Sequence, residues 1–141
     1  MINSIIESIS ISLNAEFGDG YTIYTESVGQ GLQEPCFFVS CINPSSRPFL
    51  GKRYFRENQF CLQYFPADTD RAREECNAVA ERLYTCLEYI SVAGNLTRGT
   101  KMSYEVVDDV LNFFVNYDMF VYKAATSDAM EDLSQNVTMK E

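Results

Sequence analysis

Between Arg71 and Ile90, the apolar residues Ala72, Cys76, Val79, Leu83, Cys86, Leu87 and Ile90 step by threes and fours. This spacing predicts a helix over residues 71–90 that is apolar along one stripe only, so the stripe needs a second layer to cover it. The flanking segments change period. From Arg53 to Phe65, Tyr54, Phe60, Leu62 and Tyr64 fall at even positions, against Arg53, Glu57, Gln59 and Gln63 at odd ones. Met102, Tyr104 and Val106 alternate with Lys101, Ser103 and Glu105, and Leu111, Phe113, Val115, Tyr117, Met119 and Val121 share one face of a last strand. A period of two is the strand repeat, and one sheet face covered by one-sided helices buries all of these residues.

The remaining elements follow the same logic. Ile2, Ile5, Ile6, Ile9, Leu13 and Phe17 predict an N-terminal helix over residues 2–17, with Ser4, Glu7, Ser8 and Asn14 outside its stripe. Gly18-Asp19-Gly20 ends it before a short strand, Tyr21 to Glu26, and Pro35 opens a buried strand, Cys36 to Ile42. Asn43 to Pro48, with two prolines, reads as a loop. Asp68 or Asp70 is placed to cap the second helix, Gly94-Asn95 to end it, and Asp108-Asp109 to turn the final hairpin.

The expected fold class is α+β: a single mixed, mostly antiparallel sheet of about five strands with two amphipathic helices packed on one face. The expected order is helix-strand-strand-strand-helix-strand-strand. With 141 residues the chain fits one domain. Residues 1–123 form it, and 124–141 form an acidic C-terminal tail, flexible or ordered on assembly, with four carboxylates against one Lys. Leu83 and Phe113 are expected in the core, and Glu75 on the exposed side of its helix.

Charge and residue types exclude much chemistry. Twenty acidic residues against 11 basic ones give a net charge of −9, which repels phosphate backbones and anionic lipid, so neither nucleic acid nor membrane is an expected partner. There is no histidine, the commonest general base and metal ligand. No apolar run approaches the roughly 20 residues that span a bilayer, and residues 1–13 lack the features of a secretory signal. The five cysteines, an odd number, are expected as thiols in a reducing compartment, where the sequons at Asn95 and Asn136 carry no weight. Cys36 and Cys41 point to opposite faces of one strand, and Cys76 and Cys86 lie about 15 Å apart along a helix, so neither pair shares a metal. Gly29-Gln30-Gly31 precedes a strand and Gly51-Lys52 precedes Arg53, so neither matches a phosphate loop. Asp108-Asp109 reads as a solvated turn. No catalytic, cofactor or metal site is expected, and the chain reads as no enzyme.

One charge feature stands out: Arg47, Lys52, Arg53 and Arg56, four of the 11 basic residues, lie within ten positions. The plainer reading is a solvated loop and strand edge. The sharper one is contact with an acidic neighbour. Glu74, Glu75, Glu81 and the tail supply such a surface on a second copy, which makes head-to-tail association electrostatically sensible.

The strings "EPCFFVSCINPSSRPFLGKRYFRENQFCLQYFP" and "YEVVDDVLNFFVNYDMFVYK", with an N-terminal helix ahead of them, resemble the tail terminator, or tail completion, proteins of phages and prophages of Gram-positive bacteria. The resemblance covers Met1 to about Lys123. It implies a structural role without catalysis: a ring, usually of six copies, that caps the tail tube, stops its polymerisation and offers a surface for head or neck joining. Contractile phage-tail-like bacteriocins use the same kind of part. The implied partners are further copies of the chain, the tail tube protein, the sheath and head or neck connector proteins. The implied location is the bacterial host cytoplasm during assembly, then the head-proximal end of the tail. Two alternatives stay open here: another head-tail connector, head-completion or neck protein, and a small-ligand-binding or enzymatic α+β domain.

Overall fold

The structure, a computed structural model, describes residues 1–26, 31–68 and 70–123. The expected C-terminal tail, 124–141, and Gly29 lie outside the described residues. The elements in chain order are α1 (Ile2–Phe17), β1 (Thr22–Tyr24), β2 (Cys36–Cys41), β3 (Ser45–Pro48), β4 (Arg53–Glu57), β5 (Gln59–Phe65) and α2 (Ala72–Cys86). They continue with β6 (Tyr89–Val92), β7 (Asn95–Arg98), β8 (Thr100–Val107), β9 (Val110–Asn116) and β10 (Met119–Tyr122). The fold is α+β, and the chain divides into two units: Met1–Pro44 with Asn58–Tyr117, and Ser45–Glu57 with the residues from Asp118 on.

The first unit is built on the expected five-stranded sheet, in the order β1-β2-β5-β9-β8. β1 and β2 are parallel and the other pairs antiparallel. Register places Phe37, Tyr64 and Leu111 in one row and Val39, Leu62 and Phe113 in the next, all on the same face and all fully buried. Both helices cover this face. The α1 ring Phe17 meets Phe37 at 5.0 Å and the α2 ring Tyr84 meets Phe113 at 5.2 Å. Ile5, Ile9 and Leu13 from α1, with Val79 and Leu83 from α2, complete the core. Each such side chain contributes about 1.5–3 kcal/mol by leaving water.

Three readings from sequence need correction here. First, α2 stops at Cys86 and residues 89–98 form a hairpin, with Ile90 and Val92 buried and Tyr89 and Ser91 exposed. Ile90 satisfies a helical step from Leu83 and Leu87, but it satisfies strand alternation with Val92 equally well, so the stripe could not mark the change of period. Ala93 and Gly94 take positive φ values of 51° and 83°, the two-residue hairpin turn, so Gly94-Asn95 closes no helix. Second, Ser8 is buried although it lies off the α1 stripe. Its Oγ–H lies 2.6 Å from the Ser91 carbonyl of this hairpin and 3.0 Å from that of Ser4.

Third, Glu75 is no bystander. Its carboxylate accepts from the Tyr64 hydroxyl at 2.5 Å, Ala67 N–H at 3.0 Å and Asp68 N–H at 3.2 Å. Asp68 in turn accepts from the N–H groups of Asp70 and Arg71, so the approach to α2 is held by side chains although its N-cap residue, Arg71, makes no cap bond.

Candidate interaction surface

The long strand expected over residues 53–65 is two strands, with Asn58 between them, and the last strand likewise breaks at Tyr117-Asp118. Asn58 is fully buried. Its Nδ2 donates to the Tyr117 carbonyl at 3.0 Å, and the Tyr117 N–H donates to the Asn58 carbonyl at 2.9 Å. The Tyr117 hydroxyl donates to the Leu87 carbonyl at 2.6 Å, and burial pushes that phenol up, keeping it a donor. In β5 the helix-facing residues are buried in alternation, whereas all five residues of β4 are half-buried. Arg56 at an even position and Phe55 at an odd one are the sequence signals that the alternation ends at residue 58.

The second unit is a three-stranded antiparallel sheet, β10-β4-β3, in addition to the single sheet expected from sequence. Its β3 occupies most of the stretch read as a loop. β3 is an outer strand, where Pro48 removes no ladder bond that the sheet needs. The β3–β4 turn is closed by Phe49 N–H to the Arg53 carbonyl and Arg53 N–H to the Leu50 carbonyl, both 2.9 Å, with Gly51 at a φ of 58°.

Register sorts the four candidate cations. Arg47 pairs with Phe55, Phe55 with Phe120, and Arg53 with Tyr122, which puts Arg47, Arg53, Phe55, Phe120 and Tyr122 on one face. Arg56 falls on the other face, with Tyr54, Met119 and Val121, and Lys52 sits in the turn. The structure therefore brings Arg47 and Arg53 together and separates them from Arg56.

The Arg47–Arg53 face is a stack of rings and guanidinium groups. Phe120 meets Phe49 and Phe55 at 5.0 Å each. Arg53 lies 4.5 Å from the Phe120 centroid and 5.4 Å from that of Phe49, and Arg47 lies 5.1 Å from that of Phe55. On the opposite face the Lys123 ammonium sits 4.6 Å from the Tyr54 ring, an additional cation that the sequence reading did not join to the cluster. Contacts of this kind contribute about 0.5–1 kcal/mol each when exposed and hold the cations in fixed directions. Much of the face meets solvent: Phe49 and Phe120 are each 46% exposed and Tyr122 74%. The Nε atoms of Arg53 and Arg56 are buried and have no hydrogen-bond partner among the described residues.

Charge is distributed unevenly along the chain. Residues 45–57 and 118–123 carry five cations against two carboxylates, a net +3, while the first unit carries five against 14, a net −9. The described residues contain no group of three or more Cys, Asp or Glu side chains able to hold a metal, and no helix among them is long and apolar enough to cross a membrane. The cysteines are thiols, with Cys36, Cys61 and Cys76 buried and Cys41 and Cys86 half-buried. Burial, ahead of the nearby Glu16, pushes the Cys86 thiol up to about 12.

A small α+β body with an exposed, positively charged aromatic sheet belongs to the class of proteins whose chemistry is contact with other macromolecules. The sequence matches the family model described as Phage tail terminator protein over residues 4–129, and the chain belongs to that family. The family is structural, which makes the protein a structural component of a phage tail. No curated protein matches the sequence. Among the solved structures that match, one aligns over 86% of this chain and 98% of its own at 13% identity, with a TM-score of 0.42, a level at which neither fold nor function is carried over.

Proposed function

We propose that the protein assembles as a closed ring, six copies in the arrangement usual for such proteins, that caps the last ring of the tail tube. The cap ends tube polymerisation and presents a surface for the head or neck. Assembly takes place in the host cytoplasm and leaves the ring at the head-proximal end of the tail, against the tube protein and, in a contractile tail, the sheath.

The observation that carries this reading is the segregation of charge within one chain. A heterologous ring needs two different, complementary patches on every copy. A net +3 sheet bearing Arg47, Lys52, Arg53 and Arg56 and a net −9 unit bearing Glu74 and Glu81 supply them. Opposite charge orients the approach and disfavours like-to-like contacts. The exposed rings Phe49 and Phe120 add apolar area that surface ion pairs, at about 0–1 kcal/mol each, do not provide.

The test is Arg47→Glu combined with Arg56→Glu, one substitution on each face of the sheet. Circular dichroism establishes that the variant is folded, light scattering measures ring formation, and electron microscopy measures tail length. The expected outcome is lost or weakened rings and overlong tubes. Normal rings and normal tails from the folded variant refute the assignment of this surface.

A further inference from the structure

We infer that the Arg47–Arg53 face of one copy docks on the helix-free face of the five-stranded sheet of the next copy, an inference that rests on the ring reading and gives it a second surface. Neighbouring subunits then meet sheet on sheet.

Register identifies the receiving face. Phe38, Gln63, Asn112 and Glu105 form one row across β2, β5, β9 and β8, and Ser40, Cys61, Phe114 and Ser103 form the next. Successive strand residues alternate sides, so both rows lie opposite the face that α1 and α2 cover. Phe38, Gln63, Asn112 and Phe114 are half-buried, and Ser103 and Glu105 are exposed.

The composition of this face is that of an interface. A solvated face of an antiparallel sheet ordinarily alternates polar residues outward. Here Phe38, Phe65 and Phe114 stand with Val107 and Val110, and Glu105 is the one formal charge among the described residues that register places there. Aromatic residues enriched and charges depleted at the centre mark a surface that another protein dries.

Its chemistry complements the basic sheet. Asn112 Nδ2 donates to the Val110 carbonyl at 3.4 Å, and Gln63 Nε2 donates to Asn112 Oδ1 at 3.1 Å. These bonds consume amide donors and end on the Gln63 carboxamide oxygen, an acceptor. Glu105 supplies a carboxylate at the β8 margin, and Glu26 and Glu34 supply two more next to β1 and β2, in a stretch, residues 1–46, without Lys or Arg. Arg47 brings donors only, from an exposed outer strand, and Phe49 and Phe120 bring exposed rings. α2 is a poorer local match. Its Glu74 and Glu81 are interleaved with Arg71, Arg73 and Arg82, so they act through the field of the whole unit. Dimensions agree as well: five strands about 4.8 Å apart span roughly 20 Å, and the three strands of the basic sheet roughly 10 Å.

The experiment uses the full chain with p-benzoylphenylalanine in place of Tyr122, which lies on the basic face and is 74% exposed. Isotopically heavy and light preparations are mixed, irradiated and mapped to the residue by mass spectrometry, while light scattering follows association. The expected heavy-light crosslinks end on residues of β2, β5, β8 or β9 that point away from the helices. In the same background Glu105→Lys should lower their yield at least about fivefold with circular dichroism unchanged. Glu7→Lys, the same charge change on the exposed side of α1, should change it less than about twofold. Association with heavy-light crosslinks to α1 or α2 overturns the inference and leaves the ring reading standing. Crosslinks confined to one copy, or equal effects of the two substitutions, also overturn it. Absence of association overturns the ring reading and this inference together.

Discussion

Replacing Glu75 by Ala should destabilise the protein far more than replacing Glu74, although the two are adjacent in the first turn of α2. Both carboxylates face the positive end of the helix dipole, worth about 0.3–1 kcal/mol, so that contribution cancels between them. The Glu74 side chain is 75% exposed and pairs with Arg71 at 3.7 Å, a surface pair worth at most about 1 kcal/mol. Glu75 accepts three hydrogen bonds. The N–H groups of Ala67 and Asp68 are solvent-accessible, and water replaces much of what they lose. The Tyr64 hydroxyl differs, because its residue is 1% exposed and the bond to Glu75 is 2.5 Å long. Burial, and after it the hydrogen bond and charge of Glu75, push this phenol up, so it remains a donor throughout the physiological range. Leaving a buried donor unpaired costs about 1–3 kcal/mol.

The expected loss for Glu75→Ala is therefore about 2–4 kcal/mol, against less than about 1 kcal/mol for Glu74→Ala. Urea unfolding followed by circular dichroism measures both, with an unchanged m-value confirming that the compactness of the end states is the same. Tyr64→Phe removes the same bond from the other side. In Glu75→Ala/Tyr64→Phe no orphaned hydroxyl remains, so the double variant should lose at least about 1 kcal/mol less than the two single losses combined. Equal losses for Glu74→Ala and Glu75→Ala, or strict additivity in the cycle, would refute the reasoning.

The other predictions concern the core and the thiols. Leu83→Ala and Phe113→Ala should each cost about 2–5 kcal/mol by urea unfolding, since both side chains are fully buried. Gly99→Ala should cost more than about 2 kcal/mol. A Cβ there would lie 2.6 Å from the Leu87 carbonyl oxygen and 2.9 Å from Val115 Cγ2, and the carbonyl already accepts from Tyr117. Cys86 should react slowly with iodoacetamide at pH 8 in the native protein, while all five cysteines react once it is denatured without reductant. The sign for stability follows from the same shift. A thiol that titrates near 8.5 when unfolded and at about 12 when folded contributes fully below about pH 8.5, and that contribution is lost as pH rises towards 12. Titrations of stability between pH 8 and 11 should therefore slope downward.

Legibility in the sequence followed how many physical requirements a segment had to satisfy at once. α1 and the β5–β9 rows were readable because one face is buried to completion, and a single slip would expose Leu62 or Phe113. The β6–β7 hairpin was not, because Ile90 fits both a helical step from Leu83 and Leu87 and strand alternation with Val92. Glu75 could not be read at all as a structural residue. Its partners lie in a loop and in β5, and no local pattern announces a carboxylate that bridges three donors. Of the candidate surface, the cations were visible by number and spacing, but their division between two faces required the register of β3, β4 and β10.

The residues that defeated the simplest strand reading are the ones that make the second sheet useful. A strand that ran unbroken from Arg53 to Phe65 would owe its even positions to the core face, and Arg56 would then be a buried cation costing several kcal/mol unless paired. Ending the alternation at Asn58 removes that demand. The buried Asn58 side chain donates to the Tyr117 carbonyl, and beyond it the chain forms a ladder in which neither face must be dry. Such a ladder can hold Arg47, Arg53 and Arg56 together with Phe49, Phe55 and Phe120 at half-exposure. A core sheet cannot, and a loop would not aim them. The same argument places a limit on variation. Leu or Val at position 56 should be tolerated by folding and harmful to assembly, whereas Leu at position 58 should harm folding, because it would leave the Tyr117 carbonyl without its donor. Thermal unfolding and light scattering on Arg56→Leu and Asn58→Leu separate the two effects. A stable, normally assembling Arg56→Leu variant would show that the charge of Arg56, on its own face of this sheet, has no part in contact.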